Sequence, residues 1–318
     1  MIDGQTLGLV GGVLVLLASV TTVVQVLQRR PDSGLDTGLL ETFARRVRAW
    51  WLLCAVLAAA FYIGTTATVV LFALISFWAL REFITLTPTR PGDHRALFWV
   101  FFLFTPLQYV LVGMRRYELY TVLIPVYASL IVPARIALSG DSKRFLERVA
   151  KIQAGLMICV YCLSHAPALL TLDLSKASAE PVGSGANMRL LFFFVVMVQL
   201  GDALQYAWAQ LPSKHVIAPT IHPGKTWEGL LGGTASLALI GAVLGLATPF
   251  SPWMAAVMSA VIALMGFGGA MTMSAIKRDR SVKDYGTLVE GHGGVLDVVD
   301  SICFAAPVFF HMTRGLIG

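Results

Sequence analysis

Long stretches of this chain carry no charge, and they recur from one end to the other. One of them, Trp50 to Leu80, runs without an Asp, Glu, Lys, Arg or His. An uncharged run of roughly 20 residues is what a bilayer crossing requires. Lipid offers no hydrogen bonds, so each run must satisfy its own backbone, and a helix does that within one segment. Ten apolar runs, candidates for such helices, lie near 6–27, 50–64, 66–80, 96–113, 117–134, 152–172, 190–210, 229–249, 252–274 and 292–312. Composition agrees: 57% of residues are hydrophobic and only 13% charged, against about 25% charged in soluble domains. The expected fold is an all-α polytopic membrane protein of about ten transmembrane helices, forming a single membrane domain over residues 1–318.

Trp50 to Leu80 is too long for one span and short for two. Gly64-Thr65-Thr66 in its middle suggests a break between two short helices, and charge decides the question. With ten spans and both termini outside, 19 of the 24 Lys and Arg residues fall in inner loops. Merging the two short spans leaves 10 inside and 14 outside. The positive-inside bias favours ten. The same bias accounts for the net charge of +6, so no nucleic-acid partner is expected. The expected location is the inner (cell) membrane, multi-pass. Met1-Ile2-Asp3-Gly4 lacks the basic stretch of a signal peptide, so the first apolar run is expected to be retained. Cys54, Cys159, Cys162 and Cys303 lie in apolar runs and read as packing residues. The polar stretch 175–187 reads as a short external loop.

Two inner loops hold the chemistry. One runs from Ser213 to Gly229 and contains Lys214, Lys225, Thr226 and Glu228; the other runs from Ser274 to Ser301. Lys and Arg neutralise phosphate oxygens, glycine backbones approach them closely, and carboxylates hold Mg²⁺. Asp297 and Asp300, three apart at the start of an apolar helix, share a face. Carboxylates there need a partner. Either a divalent cation supplies it, or nearby Lys277, Arg278 or Lys283 neutralises the pair. Asp202, in the inner half of the seventh run, fits a functional or a helix–helix hydrogen-bonding role equally. Glu82 after Arg81 reads as a snorkelling ion pair, and His165 beside Pro167 as a satisfied core histidine.

The second loop resembles the signature of phosphatidate cytidylyltransferases. Ser274, Lys277, Arg278, Lys283, Asp284, Gly291, His292, Gly293, Gly294, Asp297 and Asp300 match it in register. Pro223, Lys225, Thr226, Glu228 and Gly229 match a second block, and Asp202, Tyr206, Lys214 and His215 match positions around it. The resemblance covers roughly 195–312, which it marks as the catalytic half. Some positions depart: Ala270 stands where the family has an aspartate metal ligand, Val298 where it has an arginine, His222 where it has a serine, and Ala209-Gln210 where a Gly-Lys or Gly-Arg usually follows the Tyr.

The resemblance implies transfer of a cytidylyl group from CTP to phosphatidate or a similar lipid phosphate, giving CDP-diacylglycerol and pyrophosphate at a site facing the cytoplasm. It implies Mg²⁺ on Asp297 and Asp300 with help from Asp202, and K⁺ as a companion cation. Asp297, Asp300, Lys277, Arg278, Asp284 and His292 are the expected catalytic residues. Lys225, Thr226, Glu228, Lys214, Lys283, Ser274, Gly293 and Gly294 are expected to bind substrate, with the His292-Gly293-Gly294 turn bringing backbone N–H groups near phosphate. Implied partners are CTP, the lipid phosphate, membrane lipids and a second copy of the chain as a homodimer. The alternative is a catalytically silent paralogue that binds nucleotide or anionic lipid as a scaffold or regulator. A transporter fits poorly, since the motifs gather on one side with no inverted repeat.

Overall fold

The computed structural model describes residues 37–86, 89–174, 185–211, 215–245, 248–289 and 293–317, with scattered helical positions between 11 and 26. The first expected span and most of the 175–187 loop lie outside the described residues. Nine helices are described: α1 Thr37–Ile63, α2 Thr65–Thr85, α3 Pro91–Gly113, α4 Tyr117–Ala137, α5 Phe145–Thr171, α6 Ala186–Trp208, α7 Trp227–Leu244, α8 Pro252–Asp279 and α9 Val295–Ile317. The eight from α2 to α9 are long and apolar enough to cross a membrane. The expected 50–64 span is the apolar end of α1, of which Trp51–Ile63 forms a shorter apolar segment.

The break falls where the sequence placed it. Gly64 separates α1 from α2 with φ of 126°, a conformation that side-chain-bearing residues rarely adopt. The chain can therefore turn back immediately, and α1 packs on α2 as a hairpin. The three helices that follow are not regular. Each contains a π-helical turn, at Val100–Phe104, Leu123–Ala128 and Leu156–Cys162. In α3 the disturbance has a cause: Pro106 has no N–H to donate, and Thr105 Oγ1 bonds the Val100 carbonyl at 2.8 Å.

The helices alternate in direction, so the ends of α2, α4, α6 and α8 meet the starts of α3, α5, α7 and α9 on one side. Polar contacts tie that side together. Arg148 at the start of α5 reaches Asp93 at 2.6 Å, with the pair almost wholly buried. Its other nitrogen bonds the carbonyls of Asp141 and Lys143. Arg90 pairs with Asp141 at 2.9 Å, and the guanidinium holds that carboxyl below its usual range.

Helices α6 to α9 pack closely because small residues line their crossings. A Cβ on Gly233 of α7 would lie 2.8 Å from the Gln205 backbone of α6. One on Gly269 of α8 would lie 2.8 Å from the Asp300 carbonyl of α9. This close approach brings side chains of α6, α8 and α9 within reach of one another near the motif-bearing ends. The expected buried cysteines hold: Cys159 and Cys303 are buried, and all four are free thiols. His165 is wholly buried, with Nδ1 2.9 Å from the Tyr161 carbonyl.

Candidate functional site

The loop between α6 and α7 is folded on itself. An isolated bridge joins Val216 to Thr226, and Trp227 N–H donates to the His215 carbonyl. Thr226, buried, caps α7: its Oγ1 accepts from Gly229 N–H at 3.0 Å, the usual work of a Thr at that position. Glu228, in the first turn, bonds His215 through the imidazole and the backbone N–H. Both residues, expected to meet substrate, are thus engaged in building the loop that presents Lys225.

Lys225 turns inward. Its Nζ lies 3.1 Å from Gln205 Oε1, 3.9 Å from Asp202 Oδ1, and over the Phe267 ring. Gln205 is buried and donates in turn to the Ala263 carbonyl at 3.0 Å, bridging α6 and α8. Lys277 and Arg278 come from the last turns of α8, which runs to Asp279, past the expected end at 274. Arg278 Nε donates to the Ile221 carbonyl at 3.2 Å, which joins the two motif loops. His222 lies among these cations. Burial holds its imidazole below the ordinary histidine range, and Lys225, Lys277 and Arg278 push it in the same direction. Positive charge from three side chains acting on a histidine held toward its neutral form would favour an anion here.

The carboxylates divide into two kinds. Asp297 is fully engaged. One oxygen accepts from Lys277 Nζ at 2.8 Å, and the other from the N–H groups of Tyr285 and Gly294, each at 2.8 Å. Of the two alternatives left open by the sequence, a neutralising lysine is what the structure provides for Asp297. Asp300, one turn further along α9, has no ion-pair partner among the described residues. One of its oxygens accepts from its neighbour Ser301 N–H at 2.6 Å. It lies within electrostatic range of Asp202, Lys277 and Lys225. Two carboxylates within electrostatic range of one another favour a cation nearby, and Lys225 at 3.9 Å from Asp202 supplies part of that charge. Asp202 and Asp300 therefore fit a hard divalent ion. Among the described residues no three His, Cys, Asp or Glu side chains converge, so waters or phosphate oxygens would complete its shell.

The loop from Arg280 to Gly294 is pinned to α8 by Tyr285. Its hydroxyl donates to the Met273 carbonyl at 2.9 Å, and Lys277 sits over its ring. Burial and the Asp297 charge push the phenol well up, so it remains a neutral donor. Gly293 takes φ of 106°, and its N–H and carbonyl pair with Val289. The amides of Gly293 and Gly294 thus donate within the protein, not toward a phosphate as the resemblance implied. Lys283 and Asp284 are exposed on this loop, and Ser274 is buried in α8. Lys214 and His292 lie outside the described residues.

Sequence reasoning missed Glu82. It does not pair with Arg81, whose guanidinium lies over the Trp78 ring. Its two oxygens instead accept the N–H groups of Val295 and Leu296, at 3.0 and 2.8 Å, at the start of α9. The signal was available: neighbouring residues on a helix do not face each other, so an Arg81–Glu82 pair was geometrically poor.

Residues 44–316 match the family model described as the cytidylyltransferase family. The chain is 37% identical over 270 residues to the uncharacterized protein YnbB of Escherichia coli, covering 85% of this chain and 86% of that one. It is 35% identical over 121 residues to the phosphatidate cytidylyltransferase of Staphylococcus saprophyticus, covering 37% of this chain and 46% of the relative. It is also 35% identical over 126 residues to the phosphatidate cytidylyltransferase of Mycobacterium leprae, covering 38% and 39%. The chain thus spans less than half the length of these two phosphatidate cytidylyltransferases.

Proposed function

The chain belongs to the cytidylyltransferase family, and from that premise we propose that it transfers the cytidylyl group of CTP to phosphatidate or a similar lipid phosphate. The observation that carries this reading is the positive charge of Lys225, Lys277 and Arg278 acting on His222, close to Asp202 and Asp300, which lie within electrostatic range of each other. That arrangement offers cations for a polyphosphate and a place for the cation a polyphosphate brings.

In the proposed reaction a phosphate oxygen of the lipid attacks the α-phosphorus of CTP. A new P–O bond forms there, the bond to the β-phosphate breaks, and pyrophosphate leaves with the electron pair. The attacking phosphomonoester is already anionic near neutrality, so no side chain need remove a proton. What such a transfer needs is alignment and charge neutralisation. Lys225, held by Gln205, and Lys277, held by Asp297, present fixed ammonium groups, while Arg278 adds a forked donor at the exposed edge. Before substrate binds, His222 is held toward its neutral form and leaves the pocket's charge to these three. Mg²⁺ on Asp202 and Asp300 would neutralise charge developing on the departing pyrophosphate, and K⁺ is proposed as its companion. Asp297 sets the position of Lys277 and of the Tyr285–Gly294 loop.

The 19-to-5 distribution of basic residues places this site at the cytoplasmic face of the cell membrane in our reading. A second reading, a silent paralogue that binds nucleotide or anionic lipid, is favoured by Ala270 and by the full engagement of Asp297, which together leave only two carboxylates for a metal. Incubating the purified protein with Mg²⁺, phosphatidate and CTP labelled at its α-phosphate separates the readings. Label entering lipid supports transfer.

A further inference from the structure

We propose that Glu82 is a positioning residue for this reaction, holding the first turn of α9 and, through it, Asp297 and Asp300. The proposal rests on the transferase reading and deepens it, since Glu82 lies on α2, far from the 195–312 stretch that carries the motifs.

The first N–H groups of a helix have no partner within it. In α9 two of these, on Val295 and Leu296, are taken by a single carboxylate lying 213 and 214 residues earlier in the chain. Glu82 is only 5% exposed, and its neighbour Arg81 is turned to Trp78. A carboxylate at a helix start is also favoured by the helix dipole. Successive amides point in different directions around the axis, so two bonds to one rigid carboxylate fix both the height and the rotation of that turn.

The loop is shaped to the same carboxylate. A Cβ on Gly286 would lie 2.7 Å from Glu82 Oε1, and one on Gly294 closer still to Oε2. Only residues without side chains let the loop lie over Glu82 in this way. Gly294 then gives its own N–H to Asp297, so Glu82, the loop and Asp297 form one connected unit. Rotation of the first turn sets where Asp297 meets Lys277, and one turn later where Asp300 meets Asp202. Displacements of the order of 1 Å at such groups cost rates heavily. The arrangement has a second consequence. With Glu82 on its first two amides, the start of α9 is closed to phosphate, which leaves anion binding to Lys225, Lys277 and Arg278.

The test uses the purified full chain with Glu82→Gln, which keeps the side chain's size but replaces one acceptor by a donor facing an N–H. Hydrogen exchange at Val295 and Leu296 is measured beside steady-state turnover of CTP with phosphatidate. We expect exchange to quicken at least about tenfold at one of these amides, with the change confined to 293–297. We expect kcat to fall about ten- to a hundredfold while KM for CTP stays within about threefold, because the cations on α8 and before α7 are not moved. Gly294→Ala, pressing on the same carboxylate from the loop, should give the same signature and serves if Glu82→Gln does not fold. Unchanged exchange at Val295 and Leu296 in a folded variant overturns the proposal, as does quickened exchange spread across the whole protein. If the unaltered protein shows no turnover, the transferase reading fails, and the exchange measurement alone decides whether Glu82 holds α9.

Discussion

Asp297 and Asp300 lie one turn apart on α9, yet the first is bound by Lys277 Nζ at 2.8 Å and two backbone amides, while the second lies within electrostatic range of Asp202 and has no ion-pair partner among the described residues. The two carboxylates therefore do different work, and their variants should separate. Asp297→Ala leaves a largely buried ammonium and two amides without their acceptor. A loss of about 3–5 kcal/mol in stability is expected for breaking a buried pair on one side. Asp300→Asn relieves a like-charge contact and should leave the melting temperature unchanged or raised, while Mg²⁺-dependent CTP binding weakens at least tenfold. Thermal unfolding and CTP titration of both variants check this. Equal loss of stability in the two would contradict the division.

The neutral state of His222 gives a pH dependence whose sign can be worked out. Its folded pKa is lowered, so below about pH 6.5 the unfolded chain takes up a proton that the folded chain resists. Stability from this group is therefore full above about pH 6.5 and declines as pH falls below it. Bound triphosphate reverses the preference by offering negative charge. CTP binding should tighten as pH drops from 7.5 to 6, with proton uptake. Calorimetric titration in buffers of different ionisation enthalpy measures that uptake, and His222→Gln should abolish it.

Topology is tested by cysteines placed in a background lacking the four native ones. Ser142 and Ser281 are exposed on the motif side, and Arg116 is exposed on the other. Ser142→Cys and Ser281→Cys should react only with reagents on the cytoplasmic side, and Arg116→Cys only from outside. Labelling of Ser281→Cys from outside would remove the site from the cytoplasm.

What the sequence made legible is what depends on composition or on local spacing. The apolar runs, the break at Gly64, and the motif segments bearing Lys225, Lys277 and Arg278 all belong to this kind, although α8 extends through Lys277 and Arg278. A run of uncharged residues or a glycine between two of them has few structural outcomes. Contacts between distant segments were not legible. Nothing near Glu82 announces two amides 213 residues away, and nothing near Gln205 announces that it bridges the Ala263 carbonyl and Lys225. Thr226 and Glu228 show the opposite error. Their place in a motif suggested substrate, but a Thr before a helix and a Glu in its first turn also have capping work to do. The α9 start at Val295, against an expected 292, follows the same logic, because Gly293 takes a positive φ that ends the turn before the helix begins.

Ala270 stands on α8, at the position where the family this chain resembles carries an aspartate metal ligand. Ala270→Asp is expected to lower the Mg²⁺ concentration needed for half-maximal turnover and to raise the rate about a hundredfold, a gain of about 2.7 kcal/mol in transition-state stabilisation. Turnover measured against Mg²⁺ concentration checks it. A variant no faster than the unaltered protein would show that the two existing carboxylates already suffice or that the site fails elsewhere.

Movement of a cytidylyl group onto a lipid phosphate is the chemistry proposed for this site. Its most direct measurement is the joint yield of labelled lipid and pyrophosphate from the purified protein in vesicles containing phosphatidate, supplied with Mg²⁺ and CTP labelled at the α-phosphate. The predicted result is label entering the lipid with one pyrophosphate released for each labelled molecule, and no transfer when Mg²⁺ is chelated. Folded protein that leaves all label in CTP, at saturating CTP, Mg²⁺ and phosphatidate, would contradict it.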